Sequence, residues 1–254
     1  MGNNCCSSRG NNIKTSQIGI SEPEITLVLR LSRIDPPITH PCVERYDWRE
    51  ISQFLKANNY NVDAAFESIL DDINWRIDNL PITKEQHSDI LITREIFVFR
   101  HDVKNHPVIV IRPFYSDTQP MSLNFCLYLT YFFENIQPSL KGFKRKITLL
   151  IDFNNNLLNE NAISVIWGFM KEHYPNRIFQ ILVIQASIVR LPEESRAILR
   201  KIPTLSIFDS NFKANIIKFI DPENLMEEYG GLRQYYFKGN DDGVLPQKNI
   251  SNQI

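Results

Sequence analysis

The sequence predicts an α/β protein with a mainly parallel sheet and helical crossovers, preceded by a small N-terminal helical bundle. Residues 146–153 and 178–185 are continuous apolar runs, which are typical of parallel strands buried on both faces. Stretches with apolar residues at helical spacing lie between and after these runs. Because parallel neighbours need a crossover connection, the alternation favours a sheet covered by helices.

Two amphipathic helices are predicted before the sheet. Asp47 is expected to cap the first, with Glu50 in the capping-box position. Asn61 is expected to cap the second, which Pro81 ends. The apolar face of the second helix follows a helical period and consists of Val62, Phe66, Ile69, Leu70, Ile73 and Ile77.

The other elements follow from local patterns. Residues 95–100 and 107–112 are predicted to pair as a hairpin, and residues 24–31 and 204–208 to form short strands. A last short helix is expected to begin at Pro222 and to end at Gly230-Gly231. Further helices are predicted at 125–138, 163–174, 192–201 and 211–219.

These patterns divide the chain into five segments. We expect a flexible N-terminal tether, a linker, a helical module, an α/β domain and a flexible tail. The boundaries are 1–22, 23–42, 43–82, 90–238 and 239–254.

Composition argues against several classes of protein. A net charge of −1 gives no general attraction to nucleic acid phosphates. The four cysteines show no metal-ligand spacing, and no glycine-rich phosphate loop or nucleophile motif appears. No apolar run reaches the roughly 20 residues that a membrane-spanning helix needs. We therefore expect neither catalytic residues nor a metal, and the protein is predicted not to be an enzyme.

The first residues, Met1-Gly2-Asn3-Asn4-Cys5-Cys6, predict N-terminal lipidation. Gly2 would accept a myristoyl chain after removal of Met1, and Cys5 and Cys6 would accept palmitate. One myristoyl chain binds a membrane only marginally, whereas a second acyl chain makes the anchor stable. The expected location is the cytoplasmic face of a membrane, as a peripheral, lipid-anchored protein.

Three stretches of the chain carry recognisable motifs. They are the helical pair around 51–76, the sequence His173-Tyr174-Pro175-Asn176-Arg177 and residues 225–231, LMEEYGG. In this order they resemble the N-terminal module, the tyrosine–proline turn and the closing motif of the CRAL-TRIO family of lipid-binding domains. The resemblance covers roughly residues 43–237.

The resemblance implies a sheet that floors an apolar pocket for one hydrophobic ligand, closed by a gating helix at about 192–204. In phospholipid-transfer members, hydroxyl side chains that match Ile147, Leu149 and Met170 hold a choline headgroup, and here all three are apolar. This favours a more hydrophobic ligand. Arg196, Arg200 and Lys201 on the gating helix are expected to contact anionic headgroups. The expected pocket residues are Phe132, Ile147, Leu149, Ile151, Trp167, Met170, Val183, Ala197, Ile198 and Ile202.

Two functions remain open from the sequence. The first is a membrane-tethered lipid-binding or lipid-transfer protein whose partners are a hydrophobic small molecule and the membrane surface. The second is a protein-interaction module with a vestigial pocket. Its partner would be a small GTPase or ubiquitin, since residues 60–70 resemble ubiquitin-binding helices.

Overall fold

The computed structural model describes residues 21–33, 46–80, 96–112, 123–136, 146–155, 158, 160–187, 192–208 and 211–234. The chain divides into two compact units, Met1–Ile73 and Asn74–Ile254. Residues 1–20 of the predicted tether, the whole predicted tail and Pro81 lie outside the described residues, whereas Ser21 and Glu22, also expected in the tether, stand at the start of a helix.

The first unit is helical and contains α1 (Glu22–Leu31), α2 (Trp48–Ala57) and most of α3 (Val62–Asn79). Both predicted caps are confirmed. The Asp47 carboxylate accepts hydrogen bonds from the backbone N–H groups of Arg49 and Glu50, and the Asn61 side chain accepts one from Ala64. The unit has its own apolar core, formed by Leu27, Tyr46, Ile51, Phe54, Leu55, Ala65, Ile69 and Ile73.

The strand expected at residues 24–31, within the expected linker, is wrong, because these residues form α1. The Glu24 carboxylate accepts hydrogen bonds from both the backbone N–H and the hydroxyl of Ser21, and Pro23 stands in the first turn. Both features are typical of a helix N-terminus. A short apolar run fits a strand or a buried helix equally well, so periodicity could not decide.

The second unit is built on a five-stranded sheet in the order β1-β2-β3-β4-β5. The strands are β1 (Ile96–His101), β2 (Pro107–Ile111), β3 (Ile147–Asp152), β4 (Ile178–Ile184) and β5 (Leu205–Ile207). β1 and β2 form the predicted antiparallel hairpin, and the other three pairings are parallel. The predicted α/β class with a mainly parallel sheet is confirmed.

Helices connect the parallel strands, as the alternation of patterns predicts. They are α4 (Leu123–Ile136) between β2 and β3, α5 (Glu160–His173) between β3 and β4, and α6 (Glu193–Leu199) between β4 and β5. A short helix, α7 (Phe212–Ile216), and two 3₁₀ turns, Pro222–Asn224 and Glu227–Tyr229, follow β5.

Alternating side chains divide the sheet into two buried faces. On β3, Ile147, Leu149 and Ile151 belong to a cluster with α4, α5 and α6, and this side is called the α5 face. Leu150 belongs to a second cluster with Leu182, α7 and the 3₁₀ turns, and this side is called the α7 face. The sheet is therefore the middle layer of a three-layer unit.

A buried carboxylate joins the hairpin to the central strands. Asp102, in the turn after β1, accepts hydrogen bonds from the Thr148 hydroxyl at 2.6 Å and from the Gln180 amide at 3.3 Å. It also accepts the backbone N–H groups of Lys104 and His106. Since an unpaired buried carboxylate is costly, these donors hold the turn in place.

The single short helix expected between Pro222 and Gly230 is wrong in form. The chain makes two separate 3₁₀ turns, and extended residues Leu225 and Met226 separate them. Gly230 ends the second turn in the left-handed region, with φ of 92°. Gly231 lies so close to the backbone that an added Cβ would stand 2.0 Å from the Leu225 carbonyl oxygen.

This packing predicts that Gly231→Ala destabilises the protein, by roughly 2–4 kcal/mol, because the methyl group collides with backbone that cannot move aside. Gly168→Ala in α5 is the matched control. An added Cβ there meets nothing within 4 Å. It should stabilise the helix by about 0.5–1 kcal/mol. Urea denaturation of both variants measures the difference, and equal stabilities would contradict the close approach at Gly231.

Candidate ligand-binding site

The strands supply a continuous apolar floor on the α5 face. Ile147, Leu149 and Ile151 of β3 are all buried there, and Val183 of β4 lies beside Ile151 in the parallel register. The neighbouring strands add Ile109, Ile111 and Ile181. No hydroxyl side chain of β3 points to this face, because Thr148 belongs to the opposite side, where it bonds Asp102.

Helices α4 and α5 cover this floor with aromatic and flexible side chains. Phe132 of α4 and Met170 of α5 are buried in the cluster, and Trp167 is partly buried against it. These are three of the expected pocket residues, and the structure brings them together with the four from the strands. The sequence analysis omitted other members of the same cluster, namely Leu129, Phe133, Ile163, Ile166, Phe169, Tyr174 and Leu199.

Trp75, from the C-terminal part of α3, adds an aromatic group that the sequence analysis also omitted. Its ring lies 4.1 Å from the His173 ring and 5.7 Å from the Phe169 ring, measured between centroids. The next residue, Arg76, is fully buried and donates to the His173 carbonyl oxygen. The tyrosine–proline turn after α5 is therefore packed against the end of α3.

Helix α6 meets the α5 face through one stripe of side chains. Ser195 and Leu199 are buried, and their spacing of four residues places them on one side of the helix. Ile202, three residues after the helix ends, is also buried and continues this stripe. Leu199 and Ile202 join the apolar cluster. The other expected residues of this segment, Ala197, Ile198, Arg196, Arg200 and Lys201, are exposed. A helix of seven residues presents only one side inward, and Ala197 and Ile198 lie on the other.

A polar cluster lies at the carboxyl edge of the sheet, beyond the apolar floor. Asp152, at the end of β3, accepts a 2.7 Å hydrogen bond from the Tyr229 hydroxyl. Its other oxygen accepts from the Gln185 amide at 3.1 Å and from the Asn154 backbone at 2.8 Å. Asp152 therefore has a structural hydrogen-bonding role.

Arg112, which follows β2, completes this cluster. Its guanidinium donates to the Tyr229 hydroxyl at 2.8 Å, lies 3.5 Å from the Asp152 carboxylate and forms an ion pair with Glu228. The closing motif at 225–231 thus has a physical explanation. Glu228 and Tyr229 attach it to the edge of the sheet, and its two glycines allow the tight turn beside Leu225.

Burial raises the pKa of two side chains in this unit. Burial, reinforced by the neighbouring Asp152 carboxylate, raises the pKa of the Tyr229 hydroxyl well above its usual range. Burial also raises the pKa of the Cys126 thiol, to about 11. Cys126 is therefore a protonated core residue at neutral pH, and a reactive thiolate is not available there.

The residues that the structure describes contain no cluster of three or more potential metal-ligating His, Cys, Asp or Glu side chains. Within the same residues, no helix is both long and apolar enough to cross a membrane. The three predicted lipidation residues, Gly2, Cys5 and Cys6, lie outside the described part of the chain.

A mainly parallel sheet covered by apolar helices, with a continuous apolar cluster between them, defines a layered α/β protein. Residues 93–190 match the family model described as the CRAL/TRIO domain, which is consistent with the resemblance stated above. The match begins just before β1 and ends after β4, so it includes the apolar floor, α4 and α5. It supports binding or transfer of a lipid or other hydrophobic ligand. No curated protein matches the chain.

The raised pKa of Tyr229 predicts a pH-dependent effect of Tyr229→Phe. Loss of the hydroxyl removes a donor from buried Asp152, which should cost about 1–3 kcal/mol near neutral pH. Above about pH 10, the unfolded tyrosine ionises while the folded one stays protonated, so wild type loses stability there. The variant lacks that loss, and the difference between the two proteins should shrink as the pH rises from 10 to 11.

Urea denaturation between pH 8 and pH 11 measures this difference. Tyr60→Phe, at an exposed residue of the helical unit, is the control for loss of a tyrosine hydroxyl. A gap between wild type and Tyr229→Phe that stays constant over this range would contradict the assignment.

Proposed function

We propose that this protein is a non-enzymatic lipid-binding or lipid-transfer protein, tethered to a membrane, that holds one hydrophobic ligand between the α5 face and helix α6. The observation that carries the proposal is the wholly apolar floor of the α5 face within a CRAL/TRIO domain. A hydrocarbon chain gains about 0.8 kcal/mol for each CH₂ that leaves water. An acyl chain that moves from a bilayer to this floor leaves one apolar environment for another, so it avoids the cost of exposure to water.

The ligand that suits this floor has little need for polar anchors. Ile147, Leu149 and Met170 offer no hydroxyl to a headgroup, and they are buried in one cluster. A bound polar headgroup without partners would cost several kcal/mol. These side chains favour a ligand more hydrophobic than phosphatidylcholine or phosphatidylinositol, such as a sterol-like or isoprenoid-like molecule or a neutral acyl lipid.

Helix α6 is proposed to act as the lid over this site. Only one stripe of α6 is buried, so the helix can leave with less loss of apolar contact than a core helix would suffer. On its outer side, Ile198 is 40% exposed and stands near Arg196, Arg200 and Lys201. An apolar side chain among cations suits the surface of an anionic membrane, where each cation contributes about 1 kcal/mol.

The tether is proposed to be a myristoyl chain on Gly2 with palmitate on Cys5 and Cys6. Two or three acyl chains would keep the protein on one cytoplasmic membrane surface for long periods. Local exchange or presentation of the ligand is then favoured over transport between distant membranes. Gly2→Ala removes the first acceptor, and in a lipidating host it should shift the protein from the membrane fraction to the supernatant.

Native mass spectrometry of the purified full chain, with organic extraction of bound molecules, tests ligand binding. We expect one hydrophobic molecule per chain, and we expect it to be neither phosphatidylcholine nor phosphatidylinositol. A chain that purifies empty and also takes up no lipid from vesicles would contradict the proposal. That result would favour the alternative, a protein-interaction module.

The membrane contact of α6 is tested by replacing Arg196, Arg200 and Lys201 with Gln. With vesicles containing 30% phosphatidylserine, the loss of three cations should weaken binding by about 3 kcal/mol, or roughly a hundredfold. The control replaces Lys56, Lys171 and Lys218, which are exposed on other elements, and changes the net charge equally. Equal weakening by both triple variants in a sedimentation assay would show general attraction and not a site on α6.

A further inference from the structure

Helix α6 has a polar residue at the N-terminal end of the stripe that attaches it to the rest of the second unit. Its buried stripe consists of Ser195, Leu199 and Ile202, and Ser195 is 5% exposed. The two apolar members enter the cluster on the α5 face. The remaining member, Ser195, gains little from burial in an apolar contact, so its presence there needs another explanation.

The Ser195 hydroxyl has a specific partner on the neighbouring helix. It donates a 2.7 Å hydrogen bond to the Oε1 of Glu160, which is the first residue of α5. A hydroxyl bonded to a carboxylate makes a charge-assisted hydrogen bond, which is stronger and more directional than one between neutral groups. This bond joins the first turns of the two helices across 35 residues of sequence.

We propose that the hydrogen bond between Ser195 and Glu160 is the latch that holds α6 closed over the α5 face. The inference rests on the proposed function of α6 as a lid and deepens it by assigning the contact that sets how often the lid opens. Ser195 and Glu160 are positioning residues in this account, since they act through α6 and neither belongs to the apolar floor.

The chemistry of this contact suits a reversible closure. Glu160 is only partly buried and Ser195 can rotate its hydroxyl, so water can replace each partner when α6 moves outward. An apolar residue at 195 would strengthen the hydrophobic contact of α6 and would resist its opening. Such a contact does not depend on the exact orientation of α6 relative to α5. The hydrogen bond, by contrast, is made only when α6 lies in one position and orientation relative to α5.

A second polar pair on α6 provides an internal comparison. The Arg200 guanidinium donates to the Glu193 carboxylate at 2.8 Å, and about two thirds of each side chain is exposed. Both residues belong to the α6 segment, so this pair cannot attach the helix to α5. Glu193→Gln weakens that pair and leaves the contact between Ser195 and Glu160 intact.

Hydrogen–deuterium exchange of the full chain tests the latch without any ligand. Ser195→Ala should accelerate amide exchange in residues 196–202 by about three- to tenfold, the size expected for loss of a single, partly exposed hydrogen bond. Glu160→Gln should give a smaller increase, because its amide oxygen still accepts from Ser195. Glu193→Gln should leave this exchange unchanged, and the amides of β3 should be unaffected in all three variants.

The double variant distinguishes a shared bond from two separate effects. If Ser195 and Glu160 act through one hydrogen bond, the variant carrying Ser195→Ala and Glu160→Gln should exchange no faster than Ser195→Ala alone. Additive acceleration would overturn the latch. Unchanged exchange in Ser195→Ala would also overturn it, as would an increase spread evenly over β3 and α6.

Release of a pyrene-labelled acyl lipid, loaded from vesicles, then separates the latch from the proposed function. With a working lid, Ser195→Ala should release the probe about three- to tenfold faster than wild type, in proportion to the faster exchange in α6. Faster exchange without any uptake of the probe by wild type would keep the latch and overturn lipid binding. If wild type takes up the probe but Ser195→Ala releases it at the wild-type rate, the hydrogen bond does not control ligand release and the proposal is overturned.

Discussion

The central strand β3 must be buried on both faces, and most of the second unit depends on this constraint. All six of its residues are buried, and it has parallel neighbours on both sides. Its odd-numbered residues form the floor of the α5 face, and its even-numbered residues contribute Thr148 and Leu150 to the α7 side. A strand of this kind requires a layer of helices on each side, which explains why α4 to α6 cover one face and α7 with the 3₁₀ turns covers the other.

The two layers make different uses of their apolar surface. The α7 layer is attached to the edge of the sheet by Arg112, Asp152 and Tyr229, which join three distant parts of the chain by direct hydrogen bonds. On the α5 face, by contrast, α6 presents only one buried stripe. The α7 layer is therefore held by several hydrogen bonds, whereas α6 is held by one buried stripe. The proposed ligand site lies beneath α6.

The parts of the fold that the sequence predicted are those with strong local signals. The apolar runs of β3 and β4, the hairpin, and the caps at Asp47 and Asn61 each depend on a few neighbouring residues. The first helix was missed because residues 24–31, of which five are apolar, fit either a strand or a helix. The expected last helix failed because its center is extended at Leu225 and Met226, which local capping signals do not report.

The candidate site was predictable in its strands and less so elsewhere. Alternation alone placed Ile147, Leu149 and Ile151 on one face, and the structure puts them in one buried cluster. The resemblance assigned Ala197, Ile198 and Ile202 to the pocket, and of these only Ile202 is buried. The buried stripe also includes Ser195, which no apolar pattern would select. The contact of Arg112 with Tyr229 spans 117 residues, so no local pattern could indicate it.

The most direct test of the central claim is to locate a bound acyl chain on the sheet. A lipid with a photoactivatable diazirine near the end of its acyl chain would be offered to the full protein in vesicles, cross-linked, and mapped by peptide mass spectrometry. The account predicts adducts in β3, α5 and α6, at residues of the α5 face such as Leu149, Met170 and Leu199. Adducts confined to α7 and the 3₁₀ turns, or none within the second unit, would contradict it.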